Sequence, residues 1–247
     1  MMAKKSKSSP AKPLASRPSR SHGMFDRKDG LGSYIEHPEK SQKSDIIYYD
    51  KDFVVINDLF PKSSVHCLLL PRDATHTKMH PFDAFEDPVF LASCLTAAAK
   101  LKRLVAKELQ SRYARFSVQE TEREAVLNGE VALADGEDLP KGRDWEKEVK
   151  VGIHARPSMN HLHVHVMSVD RYSECMKHRK HYNSFATPFF VELDAFPLAE
   201  DDPRRHPERQ GYLNSDLKCW RCGENFGNKF ARLKEHLAVE FELWKRE

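Results

Sequence analysis

Three histidines spaced two apart, His161, His163 and His165, alternate with Leu162, Val164 and Val166. Successive side chains of an extended strand face opposite ways, so this spacing predicts one imidazole face and one apolar face on a single strand. His154 lies a few residues upstream. Such a row could bind a metal, since three neutral imidazoles can hold zinc, or it could handle phosphate. At ~3.3 Å per residue the outer rings stand roughly 13 Å apart, too far to converge easily on one ion. Phosphate chemistry suits the row better. The middle ring, His163, can attack phosphorus while its neighbours bind oxygens or orient it. Attack requires one ring nitrogen to be unprotonated and the other N–H to be held by a carbonyl or polar group. In-line positioning and donors to the transferring group's oxygens then carry the catalysis.

A second group with chemical potential lies near the carboxy terminus. Cys219, Cys222, His236 and Glu240 form C-x2-C-x13-H-x3-E. His236 and Glu240 share a helical face, and two thiolates, an imidazole and a carboxylate make a closed four-ligand zinc set. Phe226 and Leu233 are placed to fill the core of a small ββα finger. About 30 residues cannot sustain a core alone, so structural zinc is expected to supply the folding free energy of this segment. Arg221, Lys229, Arg232 and Lys234 surround it and offer cations to phosphates.

The elements that must position these residues read as α+β. From Asp45 the pattern turns to strands: Ile46-Ile47-Tyr48-Tyr49, Phe53-Val54-Val55-Ile56, and Cys67-Leu68-Leu69-Leu70 stopped by Pro71. An antiparallel meander is the natural product. Asp87 followed by Pro88 is an N-cap with proline at the first helical position, and apolar residues then recur at three- and four-residue spacing from Leu91 to Leu109. That helix should lie across one face of the sheet. Residues 117–150 are acidic and without sustained period, which predicts an inserted surface excursion with some helix and no recognisable chemistry. Strand character resumes at Val149–His154 and in the histidine stretch. A basic cluster (Lys177 to Lys180) then precedes a strand at Phe189–Leu193. Phe25 to Ile35 reads as a short helix docked on the domain, weakened by Gly30 and Gly32 and ended before His37-Pro38.

The 247 residues accordingly divide into a basic arm (1–22), a catalytic domain (23–196), a linker rich in Asp, Pro and Arg (197–215) and the finger (216–247). The arm carries Lys4, Lys5, Lys7, Lys12, Arg17 and Arg20 with no acid. Its few apolar residues cannot offset the entropy of ordering, so it reads as disordered. It has no secretory core, and nowhere is there a run of about 20 apolar residues for a membrane span. Five cysteines, only two of them paired by spacing, fit a reducing compartment, cytosol or nucleus, rather than a disulfide framework.

The pattern His161 to Met167 resembles the signature of the histidine-triad superfamily of nucleotidyl hydrolases and transferases. The wider string from Gly152 to Ser168, with Phe60-Pro61-Lys62 and His181-Tyr182-Asn183-Ser184-Phe185, is similar to the aprataxin branch. The resemblance implies that His163 takes up AMP as a covalent phosphoramidate that water then hydrolyses, with no cofactor for the chemistry. His161 and His165 become phosphate-binding and orienting partners, and His154, Lys62 and Ser168 align with active-site positions. It leaves open whether His181 or Lys177 protonates the leaving phosphate. Glu at the fourth ligand position resembles fungal-type members. The implied substrate is AMP on the 5′-phosphate of a DNA strand break left by abortive ligation, with AMP as product. Double-stranded DNA with nicks or ends and RNA–DNA junctions are the implied partners, and the nucleus the place of action. Phe25 and Tyr34, beside Arg27 and Lys28, would stack on or wedge beside the terminal base pair, and the finger would hold the backbone.

Two other readings compete with this one. A hydrolase of free adenosine phosphoramidates or dinucleoside polyphosphates would use the same triad with the finger contacting protein, and a noncatalytic DNA-binding protein would have little use for a full triad. The amino-terminal phosphopeptide-binding domain of longer animal members has no counterpart here, so recruitment by phosphorylated partners is not expected.

Overall fold

The computed structural model describes residues 27–247. The arm and Phe25 lie outside the described residues, as does the side chain of Arg27. Instead of one helix, the segment that follows is a 3-10 turn at Arg27–Asp29 and a short α1 at Gly32–Glu36, separated at Gly30-Leu31. Glycine at both 30 and 32 is a sufficient reason for the break.

The larger domain is built on an antiparallel sheet. Its strands are β1 (Ile46–Tyr49), β2 (Phe53–Asn57), β3 (His66–Pro71), β4 (Val149–His154), β5 (Val164–Ser168) and β6 (Phe190–Glu192), in the order β1-β2-β3-β5-β4-β6. A one-turn α2 (Pro81–Ala84) precedes the long α3 (Pro88–Tyr113). The Asp87 carboxylate caps α3 by accepting from the Val89 and Phe90 amides at 2.8 and 3.2 Å, as the sequence predicts.

Alternation then sorts the sheet into two faces. Val55, Leu69, Ile153, Val164 and Val166 join Leu91, Cys94, Ala98, Leu101 and Val105 of α3 in the main core. The opposite face takes Val54, Ile56, Leu68 and Leu70, which pack with Leu31 and Ile35 of the amino-terminal segment. His66 and His165 fall on that second face by the same parity, and so does His154.

The remaining helices are α4 (Thr121–Leu127) within the insertion, α5 (Arg179–Ala186) where the basic cluster lies, and α6 (Pro207–Gln210) in the stretch read as a linker. The finger consists of β7 (Leu217–Lys218), β8 (Asn225–Gly227) and α7 (Phe230–Arg246). Among the described residues no helix is long and apolar enough to cross a membrane.

Two expectations need correction here. The finger is not a separate small core, because Leu217, Leu233 and Leu237 pack with Met176 and Tyr182 of the larger domain, and Phe241 and Trp244 of α7 enter the main core. Docking therefore shares with any metal the task of holding it. Nor is the insertion merely a surface excursion, since Arg143 and Trp145 are buried against Trp244 of α7 and Glu120 is buried beneath them.

Candidate active site and metal centre

The histidines assemble from three strands rather than from one. Only His165 lies within β5, because the chain leaves the ladder before Val164. The Leu162 amide donates to the Thr77 carbonyl at 2.7 Å and the Asn160 amide to Lys28 at 3.0 Å, which draws this stretch toward other loops. His161 consequently turns its ring away. It packs under Gly32, where an added Cβ would stand 3.0 Å from the ring, and it lines a small hollow with Lys78 and Asn160. The prediction of three imidazoles on one strand face is thus corrected for His161. Its backbone has a use, for the His161 carbonyl lies 2.8 Å from Nδ1 of His163. A carbonyl can only accept, so Nδ1 carries the ring proton and Nε2 keeps its lone pair.

His165 sits in a row that crosses the sheet. His66 of β3 and His154 of β4 are its diagonal neighbours, since His165 pairs with Leu68 on one side and Gly152 on the other. Beside this row β6 approaches β4 closely because residue 152 is glycine, where a Cβ would fall 2.3 Å from the Val191 carbonyl and 2.8 Å from the Phe190 ring.

Hydrogen-bond direction can be followed along the row. The Lys62 backbone N–H donates to His66 Nδ1 at 3.1 Å, so His66 carries its proton on Nε2, 2.9 Å from His165 Nδ1. His165 is left with Nε2–H, buried and without a protein partner. His154 Nε2 is likewise buried and unpartnered. Asp58 stands 3.4 Å from His66 Nδ1, farther than the Lys62 amide. His66 and Asp58 have no motif spacing in the sequence; a buried histidine heading an apolar strand was the one available signal.

Burial keeps these rings neutral. It pushes His66 down to about 4 and His154 to about 3, lowers His163, and holds His165 well below the usual histidine range. A neutral His163 with a free Nε2 is a nucleophile at physiological pH without further activation.

The stability consequence has a definite sign. The unfolded chain binds these protons as pH falls through about 6.5, whereas native His66 and His154 refuse them until about 4 and 3. Both rings are neutral in either state above 6.5, so their contribution is lost as pH falls below that value. At pH 5 the loss is roughly 2 kcal/mol for each ring. Burial raises Asp170, which acts in the opposite sense. Scanning calorimetry is expected to show the melting temperature dropping by roughly 10 °C between pH 7.5 and 5, and a flat profile would contradict the neutral row.

A cleft of about 590 Å³ opens over the row. His154, His163, His165, Lys62, His181 and Tyr34 all line it, so six of the sequence-predicted residues come together. Lys180, Asp58 and Arg156 join them without having been singled out. Its polar floor continues into an apolar recess of Leu31, Ile56, Leu68 and Met159. The Lys62 ammonium folds back to donate to the Phe60 carbonyl, and burial lowers its pKa.

Helix α5 serves the cleft with one face and the finger with the other. His181, Ser184 and Phe185 line the cleft, while the buried Tyr182 hydroxyl donates to the Lys218 carbonyl at 2.8 Å and accepts from the Trp220 amide at 3.0 Å. His181 Nδ1 accepts from the Lys177 amide at 3.3 Å, and burial pushes this ring down to about 4. Its Nε2 is therefore the protonated nitrogen.

Lys177 and Ser168 lie outside the cleft. Ser168 is buried beneath the Lys62 loop, where its hydroxyl donates to Asp170, which also accepts from the Ser64 amide and hydroxyl at 3.0 and 2.7 Å. Ser168 supports the loop without reaching the reacting space. The exposed Lys28 contributes its backbone carbonyl to the Asn160 amide, and the Tyr34 hydroxyl donates to Asp45 at 3.2 Å.

In the finger the donor atoms of Cys219, Cys222, His236 and Glu240 all lie within 4.8 Å of one another. Cys222 Sγ and Glu240 Oε1 stand 3.2 and 3.1 Å from His236 Nε2. Tetrahedral zinc with bonds of about 2.0–2.3 Å needs such spacing, so the set fits that ion. Two of the cations expected to meet phosphate are engaged elsewhere. Arg221 pairs with Glu240 at 2.6 Å and with Glu247, and Lys234 with Glu174 at 3.5 Å. Lys229 and Arg232 remain on an exposed hollow shared with Asp216 and Glu224.

Comparison with known proteins matches both parts of the chain to described domains. Residues 39–172 match the HIT domain, and residues 186–243 match the C2HE / C2H2 / C2HC zinc-binding finger. The aprataxin-like protein of Schizosaccharomyces pombe is 37% identical over 223 residues, covering 88% of this chain and 82% of its own. That of Saccharomyces cerevisiae is 34% identical, covering 85% and 94%. Among solved structures, Hnt3 in complex with DNA and guanosine superimposes with a TM-score of 0.66 at 35% identity, over 88% of this chain and 96% of that one. The aprataxin ortholog Hnt3 in complex with DNA gives 0.66 at 34%, with the same coverage.

Proposed function

Because the chain belongs to the HIT-domain family as one of its aprataxin-like members, we propose that it is a DNA 5′-adenylate hydrolase. On this reading it removes AMP from abortive ligation intermediates in nuclear DNA strand-break repair. The observation that carries it is the His163 ring, held by the His161 carbonyl so that Nε2 faces the reacting space at the floor of a cleft. The DNA complexes of Hnt3 support a nucleic-acid substrate.

The chemistry proceeds in two displacements. His163 Nε2 attacks the AMP phosphorus, the bridging P–O bond breaks, and the electron pair leaves on the DNA 5′-phosphate. A phosphate monoester has a second pKa near 6, so it departs without requiring a full proton. That removes the need for a strong acid, and the Nε2–H of His181 serves by hydrogen bonding. Lys177, outside the cleft, is not assigned this part. The Nε2–H of His165 and the Lys62 ammonium meet the non-bridging oxygens, with His154 beside them. The base occupies the apolar recess. Water then attacks the phosphorus of the His163 phosphoramidate and gives its proton to solvent, the P–N bond breaks with its electron pair returning to Nε2, and AMP leaves with His163 neutral again.

Nicked or broken duplex, including RNA–DNA junctions, is the partner on this reading. Tyr34, Lys28, Lys180, Lys229 and Arg232 are its contacts at the cleft mouth and on the finger. Zinc held by Cys219, Cys222, His236 and Glu240 is structural and supplies only the finger's shape.

Brief incubation with 5′-adenylated nicked duplex, alkaline quench and peptide mass spectrometry tests the proposal. The peptide containing His163 is expected to gain one AMP moiety in the steady state. Turnover with the moiety on another residue would remove His163 as the nucleophile, and absence of turnover would remove the activity.

A further inference from the structure

The insertion holds a buried charged cluster that neither the cleft nor the metal set uses. Glu120 is fully buried, and its Oε1 accepts from the Trp145 indole N–H at 2.6 Å and the Arg143 amide at 3.2 Å. The chain passes close enough only because residue 142 is glycine, where a Cβ would stand 2.1 Å from Glu120 Oε2. The Arg143 guanidinium lies over the Trp145 and Trp244 rings at 4.6 and 5.0 Å, donates to the Trp244 carbonyl at 2.6 Å and pairs with Glu148 at 3.0 Å. Glu148 in turn accepts from the Trp244 indole at 2.7 Å.

A guanidinium desolvated to this degree is costly unless each partner is in place, so the cluster tolerates one relative placement of its two sides. One side is the catalytic domain's insertion and the other is α7. The same helix carries the metal-ligating His236 and Glu240, and Trp244 follows Glu240 by four residues, about 6 Å along the axis. The clamp therefore acts on the finger through a rigid rod.

We infer that the cluster is a brace that sets the finger's position relative to the cleft, with Arg143 as its positioning residue. The inference rests on the DNA reading above. A duplex touching both cleft and finger gains from the second contact only when the spacing between them is held, whereas a small substrate touches the cleft alone. Loss of the brace should raise KM for the duplex and spare both kcat and the small substrate.

The test uses the full, zinc-loaded chain with Arg143→Met, assayed on 5′-adenylated nicked duplex and on adenosine 5′-phosphoramidate. KM for the duplex is expected to rise about 10-fold or more, with kcat on both substrates and KM for the phosphoramidate within about 2-fold of the parent. Trp145→Phe keeps one aromatic ring beside Arg143 and removes the pyrrole part with its N–H to Glu120; it is expected to raise the duplex KM about 3-fold, and it is the measurement that stands if Arg143→Met fails to fold. An unchanged duplex KM in a folded variant, or equal losses on both substrates, overturns the inference. If the parent chain leaves adenylated duplex untouched, the DNA reading has failed instead. The brace is then judged by hydrogen exchange of amides 217–240, which Arg143→Met should accelerate about 10-fold and which, unchanged, overturns it.

Discussion

His163→Ala is expected to lower kcat on 5′-adenylated nicked duplex by on the order of 10⁴-fold or more, the scale seen when a covalent nucleophile is removed. Neither flanking histidine of the triad can take over. His165 presents an N–H rather than a lone pair toward the reacting space, because His66 occupies its Nδ1. His161 has turned its ring out of the cleft. Removing a buried imidazole at the floor leaves the exposed Lys229 and Arg232 untouched, so affinity for unadenylated nicked duplex, measured by fluorescence polarisation, should change by less than about 2-fold. A variant that retained a tenth of the parent rate would show that water can be activated directly, and the covalent route would have to be abandoned.

The second large effect is expected at a residue that does not touch the substrate. His66→Ala removes the donor to His165 Nδ1 and the acceptor of the Lys62 amide together. His165 is then free to adopt the opposite tautomer, and its donor to the phosphate oxygen is lost. Outer partners of this kind are worth 10–100-fold and a wrong tautomer about 10⁴-fold, which brackets a kcat loss on the order of 10²–10³-fold. The buried void and the unsatisfied amide add a stability loss of about 2–4 kcal/mol, readable by urea denaturation. His66→Gln separates the two contributions, since its amide can still donate to His165. Partial recovery of kcat in His66→Gln supports the tautomer argument. Full activity in a destabilised His66→Ala would reduce His66 to packing.

These two residues also show how far the site could be read from the chain. His163 was accessible because its place in the middle of an alternating row is a local property. His66 was not, because its relation to His165 comes from the β3–β5 register, in which Leu68 faces His165 and His66 lies one pleat away. Ser168 matches the family pattern, yet its even position in the strand puts it on the face opposite the histidines, and it ends beneath the Lys62 loop. Lys177 and Lys180 look alike in the sequence, yet Lys177 precedes α5 and lies outside the cleft, whereas Lys180 in its first turn lines it.

The sequence by itself determined the strands and the long helix, and it singled out the candidate nucleophile and the candidate four-donor metal set, because each is encoded within a turn or a few residues of alternation. Proline after an aspartate starts α3, and C-x2-C with H-x3-E converges through local geometry alone. The tertiary structure decided which face each imidazole finally sees and what the insertion does. Alternation predicts facing only while a residue stays in the ladder, and His161 leaves it when its neighbours bond to Thr77 and Lys28. The insertion has no periodic face because its buried groups answer to distant partners: Arg143 and Trp145 meet Trp244 of α7 about 100 residues away, and Glu120 meets Trp145 and the Arg143 amide more than 20 residues on. Contacts of that range are selected by packing and charge satisfaction across the finished fold, and they leave no period in the chain to read.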